Sequence, residues 1–199
     1  ITPVVATNGP DILLPLLKLI LVAYLAMILH MVVVYSGMVK AIAKMGPLTF
    51  FKGQVRAMTF AFASASSVGT LPINMECSEK LGVRREVSSF VLPLGATINM
   101  DGTAIYQCVA TVFLATCAGM QLTLSQMILI VVTATLASIG TAGTPGAGMI
   151  MLAMVLEAIG IPVAYIGLIV AVDRLFDMGR TTLNITGDAT CAMWISRQE

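Results

Sequence analysis

A cluster of charged and polar residues lies inside an apolar stretch near the end of the chain, at residues 170–194. Its members recur mostly at intervals of three or four residues: Asp173, Asp177, Arg180, Thr181, Asn184 and Asp188. Such spacing places side chains on one face of an α-helix, because each residue turns the helix by about 100°. Carboxylate and amide oxygens bind hard cations, and guanidinium groups form paired hydrogen bonds with carboxylates. The face therefore indicates either a binding site for ions and a polar solute or a buried network of structural ion pairs.

The composition of the chain favours the binding site. The 199 residues are 58% hydrophobic and 11% charged, and their mean hydropathy is +0.95. Ionisable groups at membrane depth each cost about 2.5–3.5 kcal/mol, so a cluster of four requires partners or a ligand. The net charge of +1, without a basic patch and interleaved aromatic residues, gives no indication of nucleic-acid binding. The scattered cysteines, without a CxxC pair, are expected to be buried free thiols.

Apolar segments predict the transmembrane helices that position this cluster. Residues 12–38 are long enough to cross a bilayer. His30 in this segment is interpreted as a packed or polar-satisfied helix residue, with a proton relay as the alternative. Residues 87–118 predict a second crossing, broken by the helix-unfavourable sequence at 99–102, and residues 163–196 predict the last crossing.

Two further apolar stretches, 48–80 and 125–160, are interrupted in their middles and predict re-entrant hairpins. Lysine and arginine flank the first stretch at both ends, so the positive-inside rule places both ends in the cytoplasm. The second stretch lacks such flanks and is expected to open to the exterior. Arg197 places the C-terminus of a multi-pass protein of the cell membrane in the cytoplasm.

The two interruptions resemble each other. Ser-x-Gly-Thr occurs at 67–70 and again at 138–141, and a proline follows each. Each hairpin is followed by a helix that carries Asn and Asp. Entered from opposite faces of the membrane, the halves predict an inverted repeat whose breaks meet near the bilayer midplane.

These motifs resemble the dicarboxylate/amino acid:cation symporter family, which includes glutamate and aspartate transporters. The resemblance extends over almost the whole chain and rests on four segments: GTLP at 69–72, LPLGATINMDGTA at 92–104, LASIGTAGTPGAG at 136–148, and DMGRT with Asn and Gly-Asp at 177–188. It implies an all-α membrane protein, with residues 1–199 forming the C-terminal part of a transport domain. It also implies that N-terminal scaffold helices precede this chain and that the complete protein is a homotrimer in the lipid bilayer.

The resemblance implies sodium-coupled symport of an acidic amino acid by alternating access. Arg180 would bind the side-chain carboxylate of the substrate and Asp177 its ammonium group. The remaining residues implied at the substrate are Asn184, Thr181, Thr103, Ser66, Ser67, Thr144 and Gly148.

Sodium ions, and no organic cofactor, are also implied by the resemblance. One site would use Gly95, Asn99, Asn184 and Asp188. A second would use Asp101 with Asn99. A third would use Thr97, Ser138, Ile139 and Thr141.

The chain departs from the family pattern at two positions where members carry an arginine, here Ala65 and Met178. Arg174 lies off the polar face of its helix and either supplies the missing charge or extends toward the interface. The number of coupled ions and any countertransported ion therefore stay open.

Charge matching favours aspartate or glutamate as the substrate. A neutral amino acid would leave Arg180 unpaired, and a plain C4-dicarboxylate would leave Asp177 without an ammonium partner. The alternatives are a symporter of one of those two solutes, or a passive anion channel. An intramembrane aspartyl protease using Asp101 and Asp188 is disfavoured because both residues stand beside Asn or Gly in a pattern typical of cation ligands, so no enzyme is expected.

Overall fold

The chain is all helical over residues 9–198, the part that the computed structural model describes, and no β-strand occurs within it. Its eight α-helices are α1 (Pro10–Ala41), α2 (Pro47–Ser64), α3 (Ser67–Lys80), α4 (Arg85–Ile98), α5 (Asp101–Cys117), α6 (Leu124–Ile139), α7 (Ala147–Ala158) and α8 (Asp173–Gln198). The all-α fold class is thereby confirmed. The predicted domain begins at residue 1, and residues 1–8 and 199 lie outside the described part.

Helix α1 matches the predicted span at 12–38. It is 32 residues long and is the one helix in the described part whose length and composition suffice to cross a membrane. Most of its leucine and valine side chains point outward, Val33 with 66% of its surface exposed. It consists of a 3-10 turn, the α-helical segment Leu13–His30, a π turn at Met31–Tyr35 and a final α-helical segment, Ser36–Ala41.

Helices α2 and α3 form an antiparallel pair. Gln54 Nε2 donates to Ser78 Oγ at 2.9 Å, and Arg56 Nη1 donates to Glu76 at 2.8 Å, so positions equally far from the break face each other. Hydrogen bonds from Lys80 and Arg56 lower the pKa of the exposed Glu76 carboxyl at the open end of the pair. The pair corresponds to the predicted hairpin at 48–80.

The break between α2 and α3 contains fewer residues than the sequence pattern predicts. It comprises two residues: Ala65 in the left-handed conformation with φ of 52°, and Ser66. Ser66 Oγ accepts a hydrogen bond from Gly69 N at 3.0 Å and caps α3, so the helix begins at Ser67. Pro72 lies within α3, where it removes one hydrogen bond without ending the helix.

Helices α6 and α7 pack against each other and flank a longer break, residues 140–146. A capping box formed by Thr123 and Gln126 starts α6. Gly146, with φ of 81°, directly precedes α7, a conformation that other L-residues adopt only with strain. The pair corresponds to the predicted hairpin at 125–160.

Helix α8 is central and packs against α2, α3, α4 and α5. Its apolar face buries Phe176, Leu183 and Ala189, and its polar stripe is also buried. The predicted start of this helix at 163 was wrong. Residues Val163–Leu168 and Val170–Val172 form 3-10 turns, in keeping with the low helix propensity of Gly167 and the β-branched residues around it.

Candidate functional site

A small central cavity lies between α8, the start of α5 and the two helix breaks. Its volume is about 10 Å³, close to the space that one water molecule needs. It is lined by Ser67, Met100, Thr103, Thr141, Ala142, Gly143, Thr144, Gly148, Asp177, Arg180, Thr181 and Asn184. Eight of the nine residues that the resemblance implies at the substrate lie on this wall.

Arg180 dominates the cavity. It is 2% exposed, and its guanidinium lies 4.7 Å from the centre of the Tyr106 ring. Nε donates to Asp177 Oδ1 at 2.9 Å, and Nη2 donates to the same oxygen. Nη1 is buried and has no hydrogen-bond acceptor in the described part of the chain. A buried charged donor without a partner costs more than about 1–3 kcal/mol, so this geometry suits an anionic ligand at Nη1.

Asp177 links α8 to the second break. While its Oδ1 accepts from Arg180, its Oδ2 accepts from the backbone N of Gly146 at 2.6 Å. Both carboxylate oxygens are therefore engaged by the protein itself. A ligand ammonium group at Asp177 would replace at least one of these contacts.

Gly148, in the first turn of α7, approaches Arg180 closely. A β-carbon at this position would overlap Arg180 Nη1 and lie 2.6 Å from its central carbon, Cζ. The carbonyl of Gly148 accepts a hydrogen bond from Gln107 Nε2 at 3.4 Å. The space beside the guanidinium thus depends on the absence of a side chain at Gly148.

Asn184 joins α8 to the break between α4 and α5. Its Oδ1 accepts from Gly102 N at 2.7 Å, and its Nδ2 donates to Met100 Sδ at 3.1 Å and to Thr103 Oγ1 at 3.4 Å. Because these groups satisfy one another, the break at residues 99–100 and the first turn of α5 pack tightly against α8.

The two helix breaks touch beside α8. Val68 N donates to the Gly143 carbonyl at 3.3 Å, and Ser66 Oγ donates to the same carbonyl at 3.2 Å. Ser66 thus lies at the contact between the breaks, whereas Ser67 and Thr144 line the cavity. The contact closes the cavity on this side.

The first set of residues implied for sodium is brought together. Asn99 Nδ2 donates to Asp188 Oδ1 at 2.9 Å and to the Asn184 carbonyl at 3.1 Å. A β-carbon on Gly95 would lie 2.5 Å from Asp188 Oδ1, so the backbone of α4 runs directly against this carboxylate. Asn99, Asn184, Asp188 and Gly95 therefore form one cluster of oxygen-bearing groups.

The second set lies next to this cluster. Asp101 and Asn99 line a cavity of about 430 Å³ between α1, α4, α5 and α6. Asp101 Oδ2 accepts a hydrogen bond from the Tyr35 hydroxyl at 2.8 Å and lies 3.2 Å from His30 Nε2. His30 thus has a polar partner, which both of its sequence interpretations allow.

The third implied set is divided. Ser138 and Ile139 line the cavity beside Asp101, while Thr141 lines the central cavity. Thr97 is exposed, and its hydroxyl donates to the carbonyl of Leu94. The hydroxyls of Ser138 and Thr141 likewise donate to carbonyls of the preceding helical turn.

Sequence reasoning missed several residues of the site. Met100 accepts from Asn184, Tyr106 lies under the Arg180 guanidinium, and Gln107 binds the Gly148 carbonyl. The Tyr106 hydroxyl donates to Asp173 Oδ1 at 2.9 Å, which places this carboxylate behind the cavity. Tyr106 and Gln107 follow Asn-Met-Asp-Gly by one helical turn, and this spacing was the available signal.

Arg174 does not enter the cavity. Its Nη2 donates to the carbonyls of Ala63 and Ser64 at 3.3 and 3.2 Å, at the C-terminal end of α2. The side chain thus binds the end of α2, next to the first break, and lies outside the cavity. No group of three or more His, Cys, Asp and Glu side chains with metal-binding geometry occurs in residues 9–198.

Comparison with known proteins identifies relatives of two kinds. An excitatory amino acid transporter of Caenorhabditis elegans is 50% identical over 147 residues, 73% of this chain and 29% of the relative. The human excitatory amino acid transporter 2 is 46% identical over 149 residues, 74% of this chain and 26% of the relative. The neutral amino acid transporter B(0) of the rat is 51% identical over 144 residues, 72% of this chain and 26% of the relative.

The chain therefore spans less than a third of the length of these three relatives. The model of the sodium:dicarboxylate symporter family matches residues 1–198, nearly the whole sequence. This match confirms the resemblance carried by the four sequence motifs and by the residues around Arg180. The chain belongs to the sodium:dicarboxylate symporter family.

Proposed function

We propose that this protein is a secondary active transporter that couples sodium to the uptake of an acidic amino acid by alternating access. The observation that carries the proposal is the buried Arg180, whose Nη1 has no acceptor in the described residues although Asp177 binds the rest of the guanidinium. A carboxylate at Nη1 would give this nitrogen an acceptor and place an anion beside a charged group held out of water.

The pairing of Arg180 with Asp177 selects among substrates. An amino acid with a carboxylate side chain brings an anion for Arg180 and an ammonium for Asp177, so each charged group of the protein keeps a partner. A neutral amino acid satisfies Asp177 alone, and a C4-dicarboxylate satisfies Arg180 alone. The relatives include both excitatory and neutral amino acid transporters by name, so similarity alone does not separate the two classes.

The substrate cannot enter the cavity as it stands, since about 10 Å³ accommodates at most one water molecule. The N–H of Gly146 donates a hydrogen bond to Asp177, and the N–H of Val68, next to the first break, donates one to the carbonyl of Gly143. Displacement of the glycine-rich residues 140–146 would break these contacts and open a path to Arg180 and Asp177. The second break is therefore the proposed gate, with Thr144, Gly148, Ser66 and Ser67 closing over the substrate and Thr181, Thr103 and Asn184 adding hydrogen bonds.

Sodium fits the oxygen groups next to the cavity. Asp188 is 1% exposed, and the close approach of Gly95 leaves its carboxylate surrounded by the Asn99 and Asn184 groups. Asp101 adds a second carboxylate. Bound cations would neutralise these acids in lipid, and their binding would be coupled to substrate binding through Asn184, which belongs to both clusters. A third site at Thr97, Ser138, Ile139 and Thr141 would require rearrangement of hydroxyls that now bond within their helices.

The membrane architecture proposed for these helices has α2–α3 and α6–α7 as re-entrant hairpins entered from opposite faces. The antiparallel α2–α3 pair and the meeting of the two breaks beside α8 support this inverted repeat. Residues 1–199 would be the C-terminal part of a transport domain, the C-terminus would be cytoplasmic, and the complete protein would be a homotrimer.

A binding and uptake experiment on the full-length protein in liposomes tests the proposal. L-aspartate should bind at least tenfold more tightly in sodium than in choline, which is about 1.4 kcal/mol of coupling, and should be concentrated inside the vesicles. Arg180→Ala should lose at least about 100-fold in aspartate affinity while retaining small neutral amino acids, because breaking a buried ion pair costs about 3–5 kcal/mol.

Arg174→Ala is the matched control, since this arginine lies on the same helix and faces α2 instead of the cavity. Equal aspartate affinity in wild type and Arg180→Ala would contradict the role of Arg180. Flux without concentrative uptake would indicate an anion channel, and strong binding of a neutral amino acid or a C4-dicarboxylate by the wild type would assign the alternative substrates.

A further inference from the structure

Helix α1 contains a π turn at Met31–Tyr35, directly after His30. Within it, the N–H of Ser36 donates to the carbonyl of Met31, five residues earlier. Side chains five residues apart in an α-helix point about 140° apart, whereas an i→i−5 turn returns them to one side. The rings of His30 and Tyr35 accordingly meet edge to face, with their centroids 5.0 Å apart. π turns are rare in proteins and, where they occur, they are often at functional sites. The position of this turn directly after His30 therefore points to a function.

The π turn directs both side chains to a single oxygen atom. Asp101 Oδ2 accepts from the Tyr35 hydroxyl at 2.8 Å and lies 3.2 Å from His30 Nε2. Asp101 Oδ1 receives no hydrogen bond from the described residues. One carboxylate oxygen is thus held by α1, and the other is free to bind a ligand from the cavity that Asp101 and Asn99 line.

The Tyr35 hydroxyl also lies near the neighbouring cluster around Asp188. A β-carbon on Gly187 would lie 2.5 Å from both the Tyr35 hydroxyl oxygen and Asn99 Nδ2. Asn99 Nδ2 in turn donates to Asp188 Oδ1. The hydroxyl, on a residue that is 2% exposed, therefore lies at the junction of the two acidic groups proposed to bind cations.

We propose that Tyr35, placed by the π turn, is a positioning residue for cation binding at Asp101. Its hydroxyl holds Oδ2 and orients Oδ1 toward the cation. This inference rests on the proposed function, because it requires sodium to bind at Asp101. Groups that orient a metal-binding carboxylate affect metal affinity by about 10–100-fold, whereas a purely structural hydroxyl would leave it unchanged.

The test is Tyr35→Phe, which removes the hydroxyl and keeps the buried ring. The matched control is Tyr24→Phe on the same helix, where the hydroxyl donates to the Leu175 carbonyl at 2.6 Å. The melting temperature of the full-length protein is measured against sodium concentration at constant ionic strength, without substrate. Tyr35→Phe should raise the sodium concentration for half of the shift at least about tenfold, and Tyr24→Phe should change it less than about twofold. The sodium dependence of L-aspartate uptake should shift in parallel, with its maximum retained.

A lower melting temperature without sodium, combined with an unchanged half-effect concentration, would show that the hydroxyl is merely structural and would overturn the inference. If sodium does not change the melting temperature of the wild type, both the proposed function and this inference are wrong. That result differs from a loss of stability confined to Tyr35→Phe. Should Tyr35→Phe not fold, Gly187→Ala displaces the same hydroxyl together with Asn99 Nδ2, so an unchanged half-effect sodium concentration in this variant would overturn the inference. Its control is Gly37→Ala on α1, where an added β-carbon meets no atom within 4 Å.

Discussion

The two helix breaks carry the same Ser-x-Gly-Thr motif but use it in opposite ways. In the first, Ser67 to Thr70 forms the opening turn of α3, which follows a two-residue break and is capped by Ser66. In the second, Ser138 lies in the last turn of α6, which ends at Ile139, and Thr141 belongs to a seven-residue break without a side-chain cap at the start of α7. A short capped turn resists opening, and a long glycine-rich segment does not. We therefore expect the first break to stay fixed and the second to move.

The largest expected difference in substrate binding is between two glycine substitutions, one in the opening turn of α7 and one in the opening turn of α3. Gly148→Ala places a methyl group on the Arg180 guanidinium, whereas the β-carbon of Gly69→Ala lies 3.2 Å from Ser66 Oγ, a contact that a small shift relieves. We expect Gly148→Ala to weaken L-aspartate binding at least about 100-fold, since breaking a buried ion pair costs about 3–5 kcal/mol, and Gly69→Ala to weaken it less than about threefold. Isothermal titration in sodium measures both, and similar losses in the two variants would contradict the assigned difference.

A smaller effect concerns the cap of the first break. Ser66→Ala removes the acceptor of the Gly69 N–H and the donor to the Gly143 carbonyl. We expect the free energy of unfolding to fall by about 1 kcal/mol, because a serine cap stabilises a helix by about that amount. Hydrogen exchange should become faster at residues 64–70, which would then resemble residues 140–146.

Thr123→Ala provides the comparison for Ser66→Ala, because it removes the cap of α6 far from either break. It should cost similar stability and leave exchange at residues 64–70 unchanged. Equal exchange rates of the two breaks in the wild type would contradict the assignment of a moving second break.

The smallest expected effect concerns Arg174, which binds the carbonyls at the end of α2. A cation at a helix C-terminus stabilises it by about 0.3–1 kcal/mol. Arg174→Gln should therefore lower the melting temperature of the protein slightly and leave aspartate affinity within about twofold of the wild type. A large loss of affinity would show that Arg174 supplies the charge missing at Ala65 and Met178.

The sequence determined most of the helices and most of the residues that line the central cavity. Asp177, Arg180, Asn184 and Asp188 fall on one face by helical periodicity alone, and the apolar surroundings show that this face needs partners. The family assigned from the motifs is confirmed by the match over residues 1–198. Both pairs of helices also occur at the predicted positions, because interruptions by glycine, proline and serine are local signals.

Only the tertiary structure decided which groups face each other. Tyr35 and His30 reach Asp101 through a π turn that no periodic pattern reveals, since its hydrogen bonds depend on what α1 packs against. Likewise, no periodic pattern predicts the contact between Tyr106 and Arg180, which are 74 residues apart. The same is true of the hydrogen bonds that Ser66 and Val68 donate to the Gly143 carbonyl, 75 or more residues away. Sequence spacing defines a helix face, whereas the partner of that face depends on how distant helices pack, and packing is a property of the whole fold.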